Sequence, residues 1–237
     1  MKTKPYFRNT VLMFFLLGFA QVLLAQNTKE YALKGFDKLE MSSAFVIDVK
    51  HGSSYKVSVD AERSEDIDDL EVKISGGTLI AKYRDGRAWR WNNNRKRVTF
   101  TIVMPTLRQV DFSGATKSKI SGFDDLEDIT LKFSGAAYAE ININADKVNL
   151  DCSGASKIKL NGKTSKFNFD VSGASNVDSF NLTARDVDAE LSGASSVRIS
   201  AVKTLNVEAS GASSLRYRGQ PSVRSDVSGA SSVRSAE

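Results

Sequence analysis

The tripeptide Ser-Gly-Ala recurs seven times in the second half of the chain, beginning at Ser113, Ser134, Ser153, Ser172, Ser192, Ser210 and Ser228. The intervals are 21, 19, 19, 20, 18 and 18 residues. A fixed period near twenty describes one supersecondary unit stacked on copies of itself, because a unit of that size cannot bury its own apolar face. That requirement removes most globular folds from consideration.

Alignment on the tripeptide shows what fills the period. The residue before each Ser is Phe112, Phe133, Cys152, Val171, Leu191, Ala209 or Val227, and two residues earlier stand Val110, Leu131, Leu150, Phe169, Ala189, Val207 and Ser225. Between these columns, apolar except at Ser225, runs a charged one: Asp111, Lys132, Asp151, Asp170, Glu190, Glu208 and Asp226. Alternation with period two is the mark of a strand with one buried face. A second apolar pair follows the tripeptide, such as Ile158 and Leu160 or Val197 and Ile199, again enclosing a charge. Each repeat therefore holds two strands, and turn signals such as Asn161-Gly162 and Gly219-Gln220-Pro221 fill the remainder. The expected fold is all-β: a single β-solenoid (parallel β-helix) with coils of 18–21 residues. Its coils pair in parallel at ~4.8 Å per rung, so the six intervals make a rod of about 29 Å.

The tripeptide has two readings. Gly114, Gly135, Gly154, Gly173, Gly193, Gly211 and Gly229 suit a bend repeated in every coil, since Gly adopts positive φ and admits close backbone approach. Alternatively the strand runs straight through, and the small residue after the tripeptide (Thr116, Ala137, Ser156, Ser175, Ser195, Ser213, Ser231) points inward where the coil is thin. The bend is favoured, because Gly weakens the interior of a straight strand. Stacked Ser hydroxyls would then bond along the rod.

Residues 1–25 have the form of a secretory signal: Lys2, Lys4 and Arg8, an apolar run from Val11 to Leu24, and Ala25 before polar Gln26. That run falls short of the roughly 20 residues a membrane span needs, so no integral membrane segment is expected after cleavage. The exported part, 26–237, reads as one solenoid domain, with irregular strands over 26–105 capping the Ser-Gly-Ala repeats of 106–237. Expected N-terminal strands are Ala44–Val49, Tyr55–Val59, Leu70–Ile74, Thr78–Tyr83 and Val98–Val103, and acidic Glu62–Asp69 is a loop or short helical turn. The single Cys152 stands in an inward column and reads as a core thiol.

The order of these features carries a resemblance. The run Ser42-Ser43-Ala44-Phe45-Val46-Ile47-Asp48-Val49, the strands Tyr55 to Val59 and Leu79 to Tyr83, then Val103-Met104-Pro105-Thr106-Leu107 and the serial Ser-Gly-Ala turns resemble the putative autotransporter adhesin, head GIN domain family. The likeness extends over roughly residues 35 to 235. It implies a secreted or envelope-associated β-solenoid without established catalytic residues. The chain stops directly after its last repeat, so no translocator barrel is expected in it.

Chemistry concentrates in one segment, residues 84–97, which holds both Trp residues and six basic side chains against one acid. Trp89 and Trp91 share a face if extended, and with Arg87, Arg90, Arg95, Lys96 and Arg97 they form a candidate ligand-binding surface for an anionic glycan or envelope surface. The competing reading is that the basic residues solubilise a long hairpin while the Trp rings fold onto its flank. The acidic column Asp151, Asp170, Glu190, Glu208 and Asp226 offers oxygen ligands of the kind Ca²⁺ takes. It lacks the Gly-rich nonapeptide of known Ca²⁺-binding solenoids, so no metal and no cofactor is assigned. His51 is the only histidine, which excludes a His-dependent triad or multi-His metal site by count. The basic segment is too small for a nucleic-acid surface.

The sequence thus points to a noncatalytic, exported binding or scaffolding solenoid, found in the periplasm, at the cell surface or secreted, with a polysaccharide-processing enzyme as the alternative. Weak homo-oligomerisation through the solenoid ends is also expected, because the last repeat has no capping element.

Overall fold

The computed structural model describes residues 27–84 and 95–236. The expected signal segment lies outside them. The N-terminal strands are β1 (Asn27–Tyr31), β2 (Lys38–Ser42), β3 (Val46–His51), β4 (Lys56–Ala61), β5 (Leu70–Ser75), β6 (Thr78–Tyr83) and β7 (Val98–Met104), with helix α1 (Ser64–Asp68) between β4 and β5. β8 (Gln109–Ser113) leads into the first Ser-Gly-Ala. Then β9 (Lys117–Phe133), β10 (Tyr138–Cys152), β11 (Lys157–Val171), β12 (Asn176–Leu191) and β13 (Ser196–Ala209) each run from one tripeptide to the next. β14 (Ser214–Arg218), β15 (Ser222–Val227) and β16 (Ser232–Ser235) complete the described chain. Successive coils pair in parallel and in register, for example Ile158 on Ala139 and Phe169 on Leu150, so the chain is the β-solenoid its period implies.

The tripeptide is the bend. Its seven glycines have φ between +68° and +85°. A Cβ on Gly154 would lie 2.4 Å from the Gly135 carbonyl oxygen, so neither the angle nor the space admits a side chain. The ladder continues through the corner: Ala155 N–H donates to Gly135 O at 2.7 Å, and Ala136, Ala174, Ala194, Ala212 and Ala230 make the same bond one rung along at 2.7–2.9 Å. The second reading also holds. Thr116, Ala137, Ser156, Ser175, Ser195 and Ser213 all point inward and are at most 2% exposed. Bend and inward small residue are consecutive parts of one corner, not alternatives. The stacked hydroxyls belong to this inner column, where Ser195 Oγ bonds Ser213 Oγ at 3.3 Å and Ser175 Oγ donates to Gly154 O at 3.3 Å.

The other turn of each coil matches the expected glycine signals at Gly162 and Gly219 and is made differently in the remaining coils. β10 passes through it as one continuous strand, paired with β11 on one side and, with two irregularities, with β9 on the other. Register shifts between Ile141 and Ile143 and between Ile143 and Ala145 absorb the change of direction against β9, the first of them at Gly122 with φ +85°, and Gly162 on β11 has φ +127° at the same turn. Glycine is required there at Gly162 and Gly219, where an added Cβ would lie 1.8 Å from Ile143 O and 2.1 Å from Ala201 O, and β10 and β12 do without it.

The N-terminal half joins the rod out of chain order. β2 and β3 flank Ser43, which at φ +100° is the one non-Gly residue with positive φ among those described. Ser42-Ser43-Ala44 is thus a further corner with Ser in the glycine position, and Gly114 stacks on it. The strand expected from Ala44 therefore begins with this corner. β2 pairs with β8 on one side and β6 on the other, while β3 lies between β9 and β7, all parallel. Coil 38–51 is therefore sandwiched between 78–104 and 109–133. Beyond it β5 pairs antiparallel with β6, β4 with β7, and β1 with β4, which ends the parallel stack. The other expected strands lie within two residues of β4 to β7, and α1 sits in the acidic stretch. β1 is polar apart from Tyr31 and announces no strand.

A continuous apolar core runs from Phe36 to Leu215. It fades at the far end, where β15 is exposed along its length and Val223 and Val227 are 40% and 41% accessible.

Cys152 is fully buried, and burial pushes its thiol pKa up, against hydrogen bonding from the Ser175 and Ser156 hydroxyls. It should resist thiol reagents until the protein unfolds. Because those hydroxyls can bond a replacement, Cys152→Ser should cost only about 1 kcal/mol in urea titration. By contrast Gly154→Ala should cost about 2–5 kcal/mol, the sum of left-handed strain and overpacking. At Gly76, with φ +57° but no atom within 4 Å of an added Cβ, the same change should cost only about 1–2 kcal/mol.

Candidate functional site

The 84–97 segment leaves β6 and re-enters at β7, the two flanks of one coil. Met41 pairs with Ala81 and Val46 with Thr99, so the segment spans the place where the neighbouring coil turns through Ser43. Three residues (43–45) make that turn in coil 38–51, and fourteen (84–97) replace it here. A repeat whose corners are otherwise uniform is interrupted at this position.

Arg87, Trp89, Arg90 and Trp91 lie outside the described residues. The returning limb is described, and it is anchored. Arg95 lays its guanidinium 3.6 Å from the centroid of the Tyr83 ring, and Lys96 N–H donates to Oδ2 of buried Asp66 at 3.1 Å. Burial raises the Tyr83 hydroxyl pKa, an effect the Arg95 charge partly opposes. Arg95 is therefore committed to Tyr83, while Lys96 and Arg97 are exposed. Tyr83 and Asp66 belong to the base of this segment, and the sequence pattern did not single them out, since Arg95 and Lys96 reach them only in the folded chain, with α1 lying against β4.

Two broad faces flank the Ser-Gly-Ala edge. On the face before the corner, Asp151, Asp170, Glu190, Glu208 and Asp226 stack in register. Beside them runs a polar ladder: Asn168 Nδ2 donates to Asn149 Oδ1 at 3.0 Å, and Asn206 Nδ2 to Asp188 Oδ1 at 2.8 Å. Together these columns line an open trough of about 520 Å³. Among the described residues no group of three His, Cys, Asp or Glu is placed to hold a metal. His51, at the end of β3, packs edge-on to Phe123 at 5.6 Å between ring centroids. On the face after the corner, charges alternate along the register as Asp48, Lys119, Glu140, Lys159, Asp178 and Arg198. Lys159 pairs with Glu140 at 3.5 Å and Arg198 with Asp178.

The Asn206 amide and Lys166, 3.2 Å away, hold the Asp188 carboxyl below the usual aspartate range. A carboxyl depressed in the fold stabilises above its unfolded pKa of about 3.9, and the contribution is lost as pH falls through the folded value. Asp188 is about half exposed, so its share is at most about 1 kcal/mol. Asp188→Asn should slightly lower the neutral-pH melting temperature, and the gap to wild type should close as pH falls below the unfolded pKa of about 3.9 and through the lower folded value.

Comparisons with known proteins agree with this architecture. The family model described as putative auto-transporter adhesin, head GIN domain, matches residues 35–221. Among solved structures, a putative adhesin from Bacteroides fragilis superposes with a TM-score of 0.77 at 18% identity, covering 89% of this chain and 97% of its own. A putative lipid binding protein from Parabacteroides distasonis gives 0.67 at 17%, covering 90% and 97%. A putative adhesin from Parabacteroides merdae gives 0.62 at 14%, covering 90% and 96%. At these identities the likeness is one of fold. No curated protein matches the chain.

Proposed function

Because the chain belongs to the putative auto-transporter adhesin, head GIN domain family, we propose that it is a noncatalytic β-solenoid scaffold of the cell envelope or exterior that holds a surface glycan. Residues 1–25 direct its export, and 26–237 act as one domain. The contact surface is the segment bearing Arg87, Trp89, Arg90, Trp91, Lys96 and Arg97, and the ligand is an anionic glycan. The observation that carries this reading is the fourteen-residue interruption of the corner column at one coil, rich in aromatic and cationic side chains. A regular solenoid repeats its surface, so a distinct contact needs a break in the repeat. Indole rings stack on sugar faces and guanidinium groups pair with carboxylate or sulfate. Arg95 has a supporting part, bracing the segment's return against Tyr83.

Replacement of Trp89 and Trp91 by Ala should abolish retention on an acidic-glycan array while the melting temperature stays within a few degrees of wild type. Loss of stability with retention intact would show the rings to be packing residues. Release of reducing sugars from the retained glycan would overturn the noncatalytic assignment.

A further inference from the structure

The charges on the two broad faces are matched rung by rung. The last three rungs carry Glu190, Glu208 and Asp226 before the corner and Arg198, Arg216 and Arg234 after it. Three rungs nearer the N-terminus than Glu190 the signs invert together, Lys132 before and Glu140 after. Asp111 with Lys119 and Asp151 with Lys159 follow the same rule, so six of the seven Ser-Gly-Ala rungs bear opposite charges at these two positions. The exception is Asp170 with Asp178, and Asp178 already pairs with Arg198 in its own column.

This matching has no use within one chain. Among the described residues no ion pair joins the two members of any rung, and Arg216, Arg234, Glu208 and Asp226 make no ion pair at all. Each also stacks on its like: Arg216 lies between Arg198 and Arg234, and Glu208 between Glu190 and Asp226. Like charges directly opposite on neighbouring strands destabilise a sheet. The alternation from Asp48 to Arg198 shows that this position accommodates sign reversal, yet at the last three rungs each column keeps one sign. An opposite column at the same ~4.8 Å repeat would relieve both, and this chain carries that column on its other face.

We propose that copies of this chain associate side by side, parallel and without axial stagger, with the carboxylate column of one against the arginine column of the next. The contact joins unlike faces, so it is heterologous and propagates until it closes. Exposed pairs are individually weak and screened by salt, so the association is strong only at low ionic strength.

Sedimentation velocity of the purified protein at about 10 mM and about 300 mM salt tests this, since the Debye length falls severalfold between them. Association at low salt and its loss at high salt are expected. Arg216→Glu with Arg234→Glu, and separately Glu208→Arg with Asp226→Arg, should each weaken self-association at least tenfold with melting curves unchanged. A one-to-one mixture of the two variants should restore it. A wild type that stays monomeric at low salt would overturn the proposal, as would association untouched by either variant or a mixture that fails to rescue. Capture of heparin by the arginine face without self-association would overturn it in favour of a polyanion surface.

Discussion

The glycine corner is the contact on which the rest depends. At each rung an Ala N–H reaches the carbonyl of the glycine one coil earlier, and the glycine itself sits so close to that carbonyl that hydrogen is the largest substituent it tolerates. The bend thus costs no backbone hydrogen bonds, because its polar groups are paired along the axis like those of the flanks. With the corner pinned, the alternation before and after it stays in phase from coil to coil. Apolar columns then stack on apolar columns, and the inner serines fill the narrow space beside the bend.

A lattice of this kind sorts positions into those that hold the rod and those that face solvent. Inward columns tolerate Phe, Val, Leu, Ala and Cys in turn, since each coil needs only to fill the space between its neighbours. Outward columns are free of packing, so their chemistry reflects electrostatics between rungs: amides that bond each other, alternating charges, or runs of one sign. The interruption at 84–97 is of a different order, because it adds chain where the lattice requires three residues. Its base is held by Arg95 on Tyr83 and Lys96 on Asp66, so the insertion is tied to the capped end of the rod.

The solenoid was legible because its signal is repeated seven times, and phase errors at one corner are corrected by the others. The strand phase placed Cys152 and the inner column correctly for that reason. The second turn was legible only in part: the glycines of Asn161-Gly162 and Gly219-Gln220-Pro221 do sit at positive φ with no room for a side chain, whereas the register shifts that complete the turn in other coils leave no mark in sequence. The corner at Ser43 was hidden by a single substitution: Ser stands where the motif has Gly, and positive φ at a non-Gly residue leaves no mark in sequence. Without that corner, nothing in the chain shows coil 38–51 to lie between two later segments. For the candidate segment, composition was informative but its base was not, because Tyr83 and Asp66 acquire their roles only when the fold brings Arg95 and Lys96 back to them.

The sandwiched position of coil 38–51 bears on how the molecule forms. From Gln109 onward each coil templates on the one just made, so growth is local and sequential. The first coils cannot assemble in that way: β2 and β3 have no neighbour until β6 and β7 are present, and they are enclosed from both sides only once the chain has reached Ser121. The N-terminal end therefore requires closures across long stretches of chain, which are entropically costly and slow. Once that end has closed it offers an edge on which β8 and β9 are laid, so the least regular part of the rod carries the longest closures of the fold.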